Sequence, residues 1–251
     1  MNELMGELRS TLERWQADER GIEIFFRDDD VDEDEESLRR LLDIFVRRNV
    51  ALNLAVIPGC LTDSAIRYLG GHRDTYPDLI ELNQHGWRHV NHEREGRKCE
   101  FGISRTFSEQ LSDIALGMAK MTSAFGDSWV PVFVPPWNRC TEHTCRALDQ
   151  SGFLVLSRDE DGAPVSGYGF REISISLDLY KWRGGAAMRP VVEILQDLIL
   201  QMAQPKWTGV MLHHKVMSDE AFSFVDLLLE TLNQYRNIRY HTFQGLLALS
   251  A

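Results

Sequence analysis

Short apolar runs alternate with amphipathic segments of helical spacing along almost the whole chain. Strict alternation of this kind predicts a parallel β-sheet with helices packed on its outside. About seven or eight strand-then-helix units fit into the 251 residues, and this number favours closure of the sheet into a barrel. We therefore predict an α/β protein with a distorted (β/α) barrel, and we keep a doubly wound open sheet as the alternative.

The spacing of apolar residues places the individual elements. The predicted strands cover residues 22–27, 51–57, 79–83, 130–134, 153–156, 173–177, 210–212 and 238–241. The predicted helices cover residues 2–18, 37–48, 62–70, 107–125, 141–152, 190–201 and 219–235. Because no internal boundary interrupts this alternation, residues 21–251 are predicted to form one domain, with residues 1–20 as an extra N-terminal helix packed on the barrel.

The formal net charge of −11 argues against non-specific binding to nucleic acid or to an anionic membrane surface, because both are polyanions. No apolar stretch is long enough for a membrane-spanning helix. The first segment, MNELMGELRSTLERW, lacks the uncharged apolar core of a signal peptide, so we expect a cytoplasmic protein. The four cysteines have no C-x-x-C spacing and are expected to be reduced thiols.

Polar and titratable side chains follow several predicted strands at the point where each strand ends. In parallel barrels function collects at this edge, because the carboxyl ends of the strands meet there. The groups are Asp28-Asp29-Asp30, Gln84-His85-Gly86-Trp87-Arg88-His89, Pro135-Pro136-Trp137-Asn138-Arg139, Asp178-Leu179-Tyr180-Lys181-Trp182-Arg183 and His213-His214-Lys215. We expect these groups to meet at one mouth of the barrel.

His85 and His89 are four residues apart, a spacing that places both imidazoles on the same face of a helical turn. Such a pair is a common way to hold zinc or a similar divalent ion. Gly86 stands where the H-E-x-x-H metalloprotease motif has glutamate, so the pair does not belong to that pattern. His92 is expected to be a solvated loop residue.

Asp28, Asp29 and Asp30 open the acidic run DDDVDEDEE, of which residues 32–36 are expected to form a solvated loop. Burying adjacent carboxylates is costly unless a cation lies nearby. Neighbouring strand residues point apart, so one carboxylate can bind a metal while the other accepts a proton from water. The other interpretation is that all three aspartates simply begin the acidic loop.

His213 and His214 follow an apolar run, and only one of two adjacent strand residues can point into the barrel mouth. That histidine is a candidate general acid, with a satisfied core histidine as the alternative interpretation. Two histidines and one carboxylate also describe the facial triad of non-haem iron oxygenases. Those enzymes have double-sheet β folds, however, whereas this chain alternates strands with helices.

Taken in order, the segments RDDD, HGWRH, PPWN, DLYKW and LHH resemble the five motifs of the NodB-homology polysaccharide deacetylases. Those motifs are TFDDG, H-S/T-x-x-H, R-x-P-Y/W-G, D-x-x-D-W and L-x-H. The resemblance spans residues 25–215. Each motif is short, and it is their order along the chain that is specific to the family. It implies a NodB-like fold, which is a distorted barrel related to the TIM barrel.

Matched position by position, the resemblance implies a role for each residue. Asp29 corresponds to the catalytic base, and the catalytic histidine falls on His213 or His214, with His213 preferred. The metal ligands correspond to Asp30, His85 and His89. The expected metal is Zn²⁺, with Co²⁺, Ni²⁺ or Mn²⁺ as alternatives. The expected substrate-binding residues are Pro136, Trp137, Asn138, Trp182 and His214.

Three positions depart from the family motifs. Val134 stands at the arginine that orients the catalytic aspartate, and Arg139 is the candidate replacement. Lys181 stands at the aspartate that tunes the catalytic histidine, and Val31 at the glycine of the first motif. Because a cation close to that histidine would lower its pKa, we expect Lys181 to turn away and Asp178 to pair with the histidine.

The resemblance implies a metal-dependent hydrolase that removes an N-acyl (acetyl) or O-acyl group from a sugar-like substrate. The metal would polarise the acyl carbonyl, Asp29 would take a proton from water, and His213 would protonate the leaving amine. A small cytoplasmic sugar intermediate, free or linked to a nucleotide or lipid, is the expected substrate. The alternative, which Val134 and Lys181 favour, is a non-catalytic or weakly active barrel that binds carbohydrate or a protein partner.

Overall fold

The computed structural model describes residues 5–160, 162 and 164–249. Its strands are β1 (Ile22–Val31), β2 (Leu52–Val56), β3 (Ile80–His85), β4 (Trp129–Val134), β5 (Val155–Leu156), β6 (Arg171–Glu172), β7 (Leu177–Asp178), β8 (Tyr180–Lys181), β9 (Ala187–Met188), β10 (Thr208–Leu212) and β11 (Ile238–Tyr240). Its helices are α1 (Gly6–Ala17), α2 (Glu36–Arg48), α3 (Asp63–Thr75), α4 (Phe107–Phe125), α5 (Glu142–Gln150), α6 (Val191–Met202), α7 (Asp219–Leu232) and α8 (Phe243–Leu249). Residues 2–4 of the predicted first helix lie outside the described residues.

The chain divides into two compact units built from interleaved segments. The first unit comprises the described parts of Met1–Asp28, Glu35–Leu52 and Ser176–Ala251. The second comprises Asp29–Asp34 and the described parts of Asn53–Ile175. The boundary between the units falls inside β1, directly after Asp28. The single domain over residues 21–251 stays a prediction.

The first unit contains parallel strands covered by amphipathic helices. β1 pairs in parallel with β10 and with β11, and β10 pairs in parallel with β7. The register sets Asp28 beside Leu212, so the end of β1 lies next to the residue that precedes His213. The apolar face of α2 is buried, and the rings of Phe26 and Phe45 meet edge to face at 5.2 Å. Burying each such side chain stabilises the unit by about 1.5–3 kcal/mol.

The second unit contains strands in the order β6-β5-β4-β3-β2, with α3, α4 and α5. Every residue of β3 is buried, as expected of a parallel strand covered on both faces. Parallel pairing sets His85 beside Val134, so the carboxyl ends of β3 and β4 lie together. Thr106 and Glu109 form a capping box that begins α4, because each side chain satisfies a backbone N–H of the first turn.

The predicted strand 173–177 is wrong. Its apolar residues are buried alternately, but the segment changes pairing partner instead of forming one strand. The backbone N–H groups of Ile173 and Ile175 donate to the carbonyls of Leu156 and Arg158, whereas that of Ser176 donates to Gly209. The change of pairing partner leaves two strands of only two residues each, β6 before the change and β7 after it. The structure also contains the β8–β9 hairpin and α8, which the sequence analysis did not predict.

The four cysteines form no disulfide bonds among the described residues. Among the described residues, no helix combines the length and the apolar character needed to cross a lipid bilayer.

Candidate metal centre and histidine cluster

Three side chains of the second unit bring potential metal ligands together: Asp30 near the end of β1, His85 at the end of β3 and His89 in the following loop. One ligand atom of each lies within 4.8 Å of the others. Oδ1 of Asp30 lies 3.2 Å from Nε2 of His85 and 3.1 Å from Nε2 of His89. Two imidazole nitrogens and one carboxylate oxygen suit zinc and similar divalent ions, so these residues fit the predicted metal.

The orientation of His85 favours metal binding. Its Nδ1 lies 2.9 Å from the carbonyl oxygen of Val134. Because a carbonyl only accepts, Nδ1 carries a proton, and in the neutral imidazole Nε2 then carries the lone pair that binds a metal. In that neutral form the Nε2 lone pair faces a carboxylate oxygen of Asp30 at 3.2 Å, and a bound cation would relieve the repulsion between the two atoms. Val134 therefore supports the site through its backbone carbonyl, which contacts His85.

His89 is a neutral imidazole near neutral pH. The pKa of His89 is lowered to about 4: burial is the largest cause, the charge of His85 adds to it, and the charges of Asp30 and Asp29 oppose the shift. Neutral imidazole is the form that ligates metals. The electrostatic effect of Asp29, a buried carboxylate, places this predicted base close to the ligand cluster.

The two histidines are brought together by a loop, which corrects the predicted helical turn. His85 ends β3, and no helix follows it. The loop instead turns through left-handed backbone at Gly86, with φ of 55°, and at His89, with φ of 57°. A Cβ atom at Gly86 would collide with the carboxylate of Glu100 and the ring of Pro136. Glycine is therefore required there both for its conformation and for space.

Glu100 holds this loop in place. Its carboxylate is buried and accepts the backbone N–H groups of Trp87 at 3.2 Å and Arg88 at 2.8 Å, with a longer bond of 3.5 Å from Val90. Burial raises the pKa of Glu100, although these N–H groups and the charge of His85 favour the ionised form. One carboxylate thus organises the segment between the two histidines.

Several of the candidate site residues have backbone in the left-handed region, where residues other than glycine are strained. The φ angles are 69° at Asp30 and 57° at His89, Trp137 and Asn138. Such conformations cost about 1–3 kcal/mol each and persist where the surrounding structure enforces them, typically at functional sites. At Asp30 this conformation also interrupts the regular pleat of β1.

The PPWN segment lies against the metal cluster. Pro136 is buried beneath Gly86, and the ring of Trp137 packs on that of His89 with centroids 4.3 Å apart. Asn138 is half-buried beside it. Arg139 does not take the place of the missing motif arginine, because its Nη1 donates to the carbonyl oxygen of Lys98 at 2.8 Å instead of contacting Asp29.

In the first unit, His213 lies against Trp182. Their ring centroids are 4.5 Å apart, in an edge-to-face arrangement. The Nδ1 atom of His213 is buried and has no hydrogen-bond partner among the described residues. The predicted pairing with Asp178 is wrong, because Asp178 accepts the indole N–H of Trp182 at 2.7 Å and the backbone N–H of Tyr180 at 2.9 Å. Asp178 therefore positions Trp182, and through it the surface that His213 contacts.

His214 is fully buried between two carboxylates of the first unit. Its Nδ1 lies 2.6 Å from Oδ2 of Asp28, and its Nε2 lies 3.0 Å from Oε1 of Glu35. This geometry corrects the predicted role of His214 in substrate binding, because both ring nitrogens are taken by protein partners. Of the two adjacent histidines, the one with an unpartnered nitrogen is His213.

Lys181 turns away from His213, as predicted. Its Nζ lies 2.9 Å from Oε2 of Glu193, and both side chains are exposed. The charge of Lys181 is thereby paired with that of Glu193 at the protein surface.

Sequence reasoning missed three carboxylates that support the histidines: Asp28, Glu35 and Glu100. Glu35 lies in the acidic run that the sequence predicts to be solvated, but its carboxylate contacts His214. Glu100 lies in a charge-rich segment and acts on backbone N–H groups, which leave no pattern of side chains to detect. Asp28 was noted only as the first of three aspartates, and the parallel register with β10 is what sets it beside His214.

No protein-family model matches the sequence. No curated protein matches it either. Solved structures match at low identity. A Mycobacterium smegmatis protein assigned as a polysaccharide deacetylase matches with a TM-score of 0.65 at 15% identity, over 84% of this chain and 75% of that one.

Two further structures come from named members of carbohydrate esterase family 4. A family 4 acetyl xylan esterase from Clostridium thermocellum, in complex with a cobalt ion, matches with a TM-score of 0.59 at 15% identity, over 90% of this chain and 91% of that one. A family 4 pseudoenzyme from Bacillus anthracis matches with a TM-score of 0.56 at 14% identity, over 90% of this chain and 65% of that one. These likenesses confirm the predicted fold class and, at the level of the fold, the resemblance to polysaccharide deacetylases.

Proposed function

We propose that the protein is a metal-dependent hydrolase that removes an N-acyl group, acetyl in the first instance, from a sugar-like substrate. The observation that carries this proposal is the cluster of Asp30, His85 and His89, with one ligand atom of each within 4.8 Å of the others. The fold shared with family 4 esterases and deacetylases supports the hydrolase class. A small sugar in the cytoplasm is the substrate proposed from the sequence.

Asp30, His85 and His89 would hold one divalent ion, with zinc as first choice and cobalt, nickel or manganese as alternatives. When bound, the ion supplies Lewis-acid polarisation of the acyl carbonyl and lowers the pKa of water. The His85–Val134 hydrogen bond orients one ligand, and Glu100 orients the loop that carries the other. Such supporting contacts typically change metal affinity by about 10–100-fold.

The remaining steps belong to side chains of this chain. Asp29, a buried carboxylate beside Asp30, accepts a proton from the attacking water. The water oxygen bonds to the acyl carbon, and the carbon–nitrogen bond of the substrate breaks. His213 donates a proton to the departing amine, so that the products are a carboxylate and an amino sugar. Trp137 and Trp182 offer aromatic faces for the sugar and the acyl methyl group.

The test begins with protein purified without added metal. Inductively coupled plasma mass spectrometry should find about one divalent ion per chain, as a three-ligand catalytic site requires. Acetate release should then be measured on a panel of N-acetyl and O-acetyl sugars. The variant His85→Ala/His89→Ala should lose both the ion and the activity. His92→Ala is the matched control, since His92 is exposed and lies outside the ligand cluster.

Stoichiometric metal in the doubly substituted protein would overturn the ligand assignment. Bound metal without acetate release from any substrate would favour the second candidate, a non-catalytic or weakly active barrel that binds carbohydrate or a protein partner. Two observations support that candidate: Val134 and Lys181 replace charged motif residues, and one structure of similar fold is a pseudoenzyme.

A further inference from the structure

Three cations of the second unit gather beside Trp137, and we call them the basic rim: Arg97, Lys98 and Arg139. Arg97 and Lys98 are exposed, and Arg139 is half-buried. The Nζ atom of Lys98 lies 5.9 Å from the centroid of the Trp137 ring. Trp137 packs in turn on His89, with ring centroids 4.3 Å apart. The basic rim therefore borders the candidate metal centre.

The basic rim is held by specific bonds. Nη1 of Arg139 donates to the carbonyl oxygen of Lys98, and Phe101 forms a parallel bridge with Cys140. The side-chain oxygen of Asn91 accepts the backbone N–H of Cys99 at 2.9 Å. These contacts tie the segment that carries Lys98 to the segment that follows Trp137. The fold thus sets the backbone positions of the segments that carry the cations.

The cations of the basic rim form no ion pair within the part of the chain that the structure describes. Among the residues that the structure describes, no carboxylate lies within ion-pair distance of Arg97, Lys98 or Arg139. Two acids of the same loop are engaged elsewhere, since Glu93 accepts from Ser104 and Glu100 accepts backbone N–H groups. Burial lowers the pKa of Arg139 and the charge of Arg97 lowers it further, while the charge of Asp159 opposes the shift. Unpaired like charges held together are unfavourable, and a bound anion relieves them.

We infer that the basic rim binds an acidic group of the substrate, a phosphate or a carboxylate attached to the sugar. The inference rests on the proposed function for the sugar itself and adds that this sugar is anionic. Arginine and lysine are the side chains that bind phosphate and carboxylate groups. Trp137 contacts both the basic rim and His89, so one ligand can reach the cations and the metal centre across its ring. In a chain with a net charge of −11, this cluster is not a result of general basicity.

Calorimetric binding of three probes to the metal-loaded protein tests the inference: N-acetylglucosamine, its 1-phosphate and N-acetylmuramic acid. At least one acidic probe should bind about tenfold or more tightly than the neutral sugar, as expected for one or two charge-assisted hydrogen bonds. Lys98→Gln/Arg139→Gln should abolish this preference. Arg67→Gln, at an exposed arginine of α3, should retain it. Equal affinities for all three probes would overturn the inference.

Two further variants exclude other origins of the preference. Arg139→Lys keeps the charge and should keep most of the preference, which separates loss of charge from loss of folding. His85→Ala/His89→Ala removes the proposed metal ligands and should keep the preference for the acidic probe. If the preference disappears in that protein but survives in Lys98→Gln/Arg139→Gln, the anion binds the metal and the role of the basic rim is disproved.

Acetate release from the same probes separates the two proposals. A preference for the acidic probes without acetate release contradicts the proposed reaction and supports the basic rim. Equal acetate release and equal affinity for neutral and acidic probes would contradict the basic rim and support the reaction.

Discussion

The Nδ1 atom of His214 lies 2.6 Å from Oδ2 of Asp28, and both side chains are fully buried. Oδ1 of Asp28 accepts the backbone N–H of His214 at 2.9 Å, and Nε2 of His214 contacts Glu35. Burial by itself lowers the pKa of His214, but the charge and hydrogen bond of Asp28 and the charge of Glu35 raise it overall, against the opposing charge of Lys215. The contact links the end of β1 to the end of β10.

The raised pKa of His214 predicts a pH-dependent stability. Since the folded pKa lies above the unfolded value of about 6.5, the stability that His214 contributes is fully present below that pH. It is lost as the pH rises through the folded pKa. His214→Gln should therefore lower the free energy of unfolding by about 3–5 kcal/mol at about pH 5.5, and by less at about pH 9.

Urea denaturation at both pH values measures this difference. His143→Gln is the control, because His143 is exposed on α5 and should change stability little at either pH. A loss in His214→Gln that is the same at both pH values would contradict the raised pKa.

The two adjacent histidines should respond differently to substitution. His213→Ala should lower turnover by at least ~10²-fold, the lower end of what a positioned acid contributes. Its stability should fall little, because the Nδ1 atom of His213 has no hydrogen-bond partner among the described residues that the substitution would leave unsatisfied. His214→Ala should mainly lower stability, because it leaves Asp28 buried without its partner. Turnover and thermal unfolding of both variants separate the two roles. Equal and mild losses of turnover would mean that neither histidine is the acid.

The two aspartates at the end of β1 should separate water activation from metal binding. Asp29→Asn should abolish turnover and keep the metal, because the ligand carboxylate of Asp30 remains. Asp30→Asn should release the metal, because it replaces the carboxylate that contacts both histidines. Metal content and acetate release of each variant provide the readout. The reverse pattern would place the ligand at Asp29.

Glu100 should control metal affinity without touching the metal. Glu100→Gln removes the negative charge that holds the N–H groups of Trp87 and Arg88, and metal affinity should fall by about 10–100-fold. Competition with a chelator of known affinity measures the change. Glu95→Gln is the matched control, because Glu95 is an exposed carboxylate of the same loop. Equal affinity in the two variants would show that Glu100 does not position the loop.

The elements of the fold that were predicted from the sequence are those in which apolar residues recur at regular spacing and in which the first and last residues of the element are well marked. The predicted helix 107–125 coincides with α4, and α2 differs from its prediction by one residue at its start. The segment from β6 to β9 could not be predicted in the same way. Strands of two residues are too short to show a period, and their pairing depends on partners distant in sequence.

The candidate site likewise contains features that the sequence predicted and features that it could not predict. The order of the motifs pointed to Asp30, His85 and His89, and the structure brings one ligand atom of each within 4.8 Å of the others, whereas their metal ligation stays a prediction. The path that brings His89 to His85 was not predictable, since the same spacing suits a helical turn and a left-handed loop. The contact of His214 with Glu35 depends on the packing of elements that are far apart in the sequence.

The positive φ at His89 has a consequence for how the protein tolerates change. An L-residue in this conformation loses about 1–2 kcal/mol relative to right-handed backbone, whereas glycine avoids that strain at an entropic cost of about 0.5–1 kcal/mol. His89→Gly should therefore unfold at a higher urea concentration than His89→Ala when both are metal-free. Selection for stability alone would replace this histidine. Its presence therefore indicates that the protein accepts a lower free energy of unfolding at this position for the sake of function.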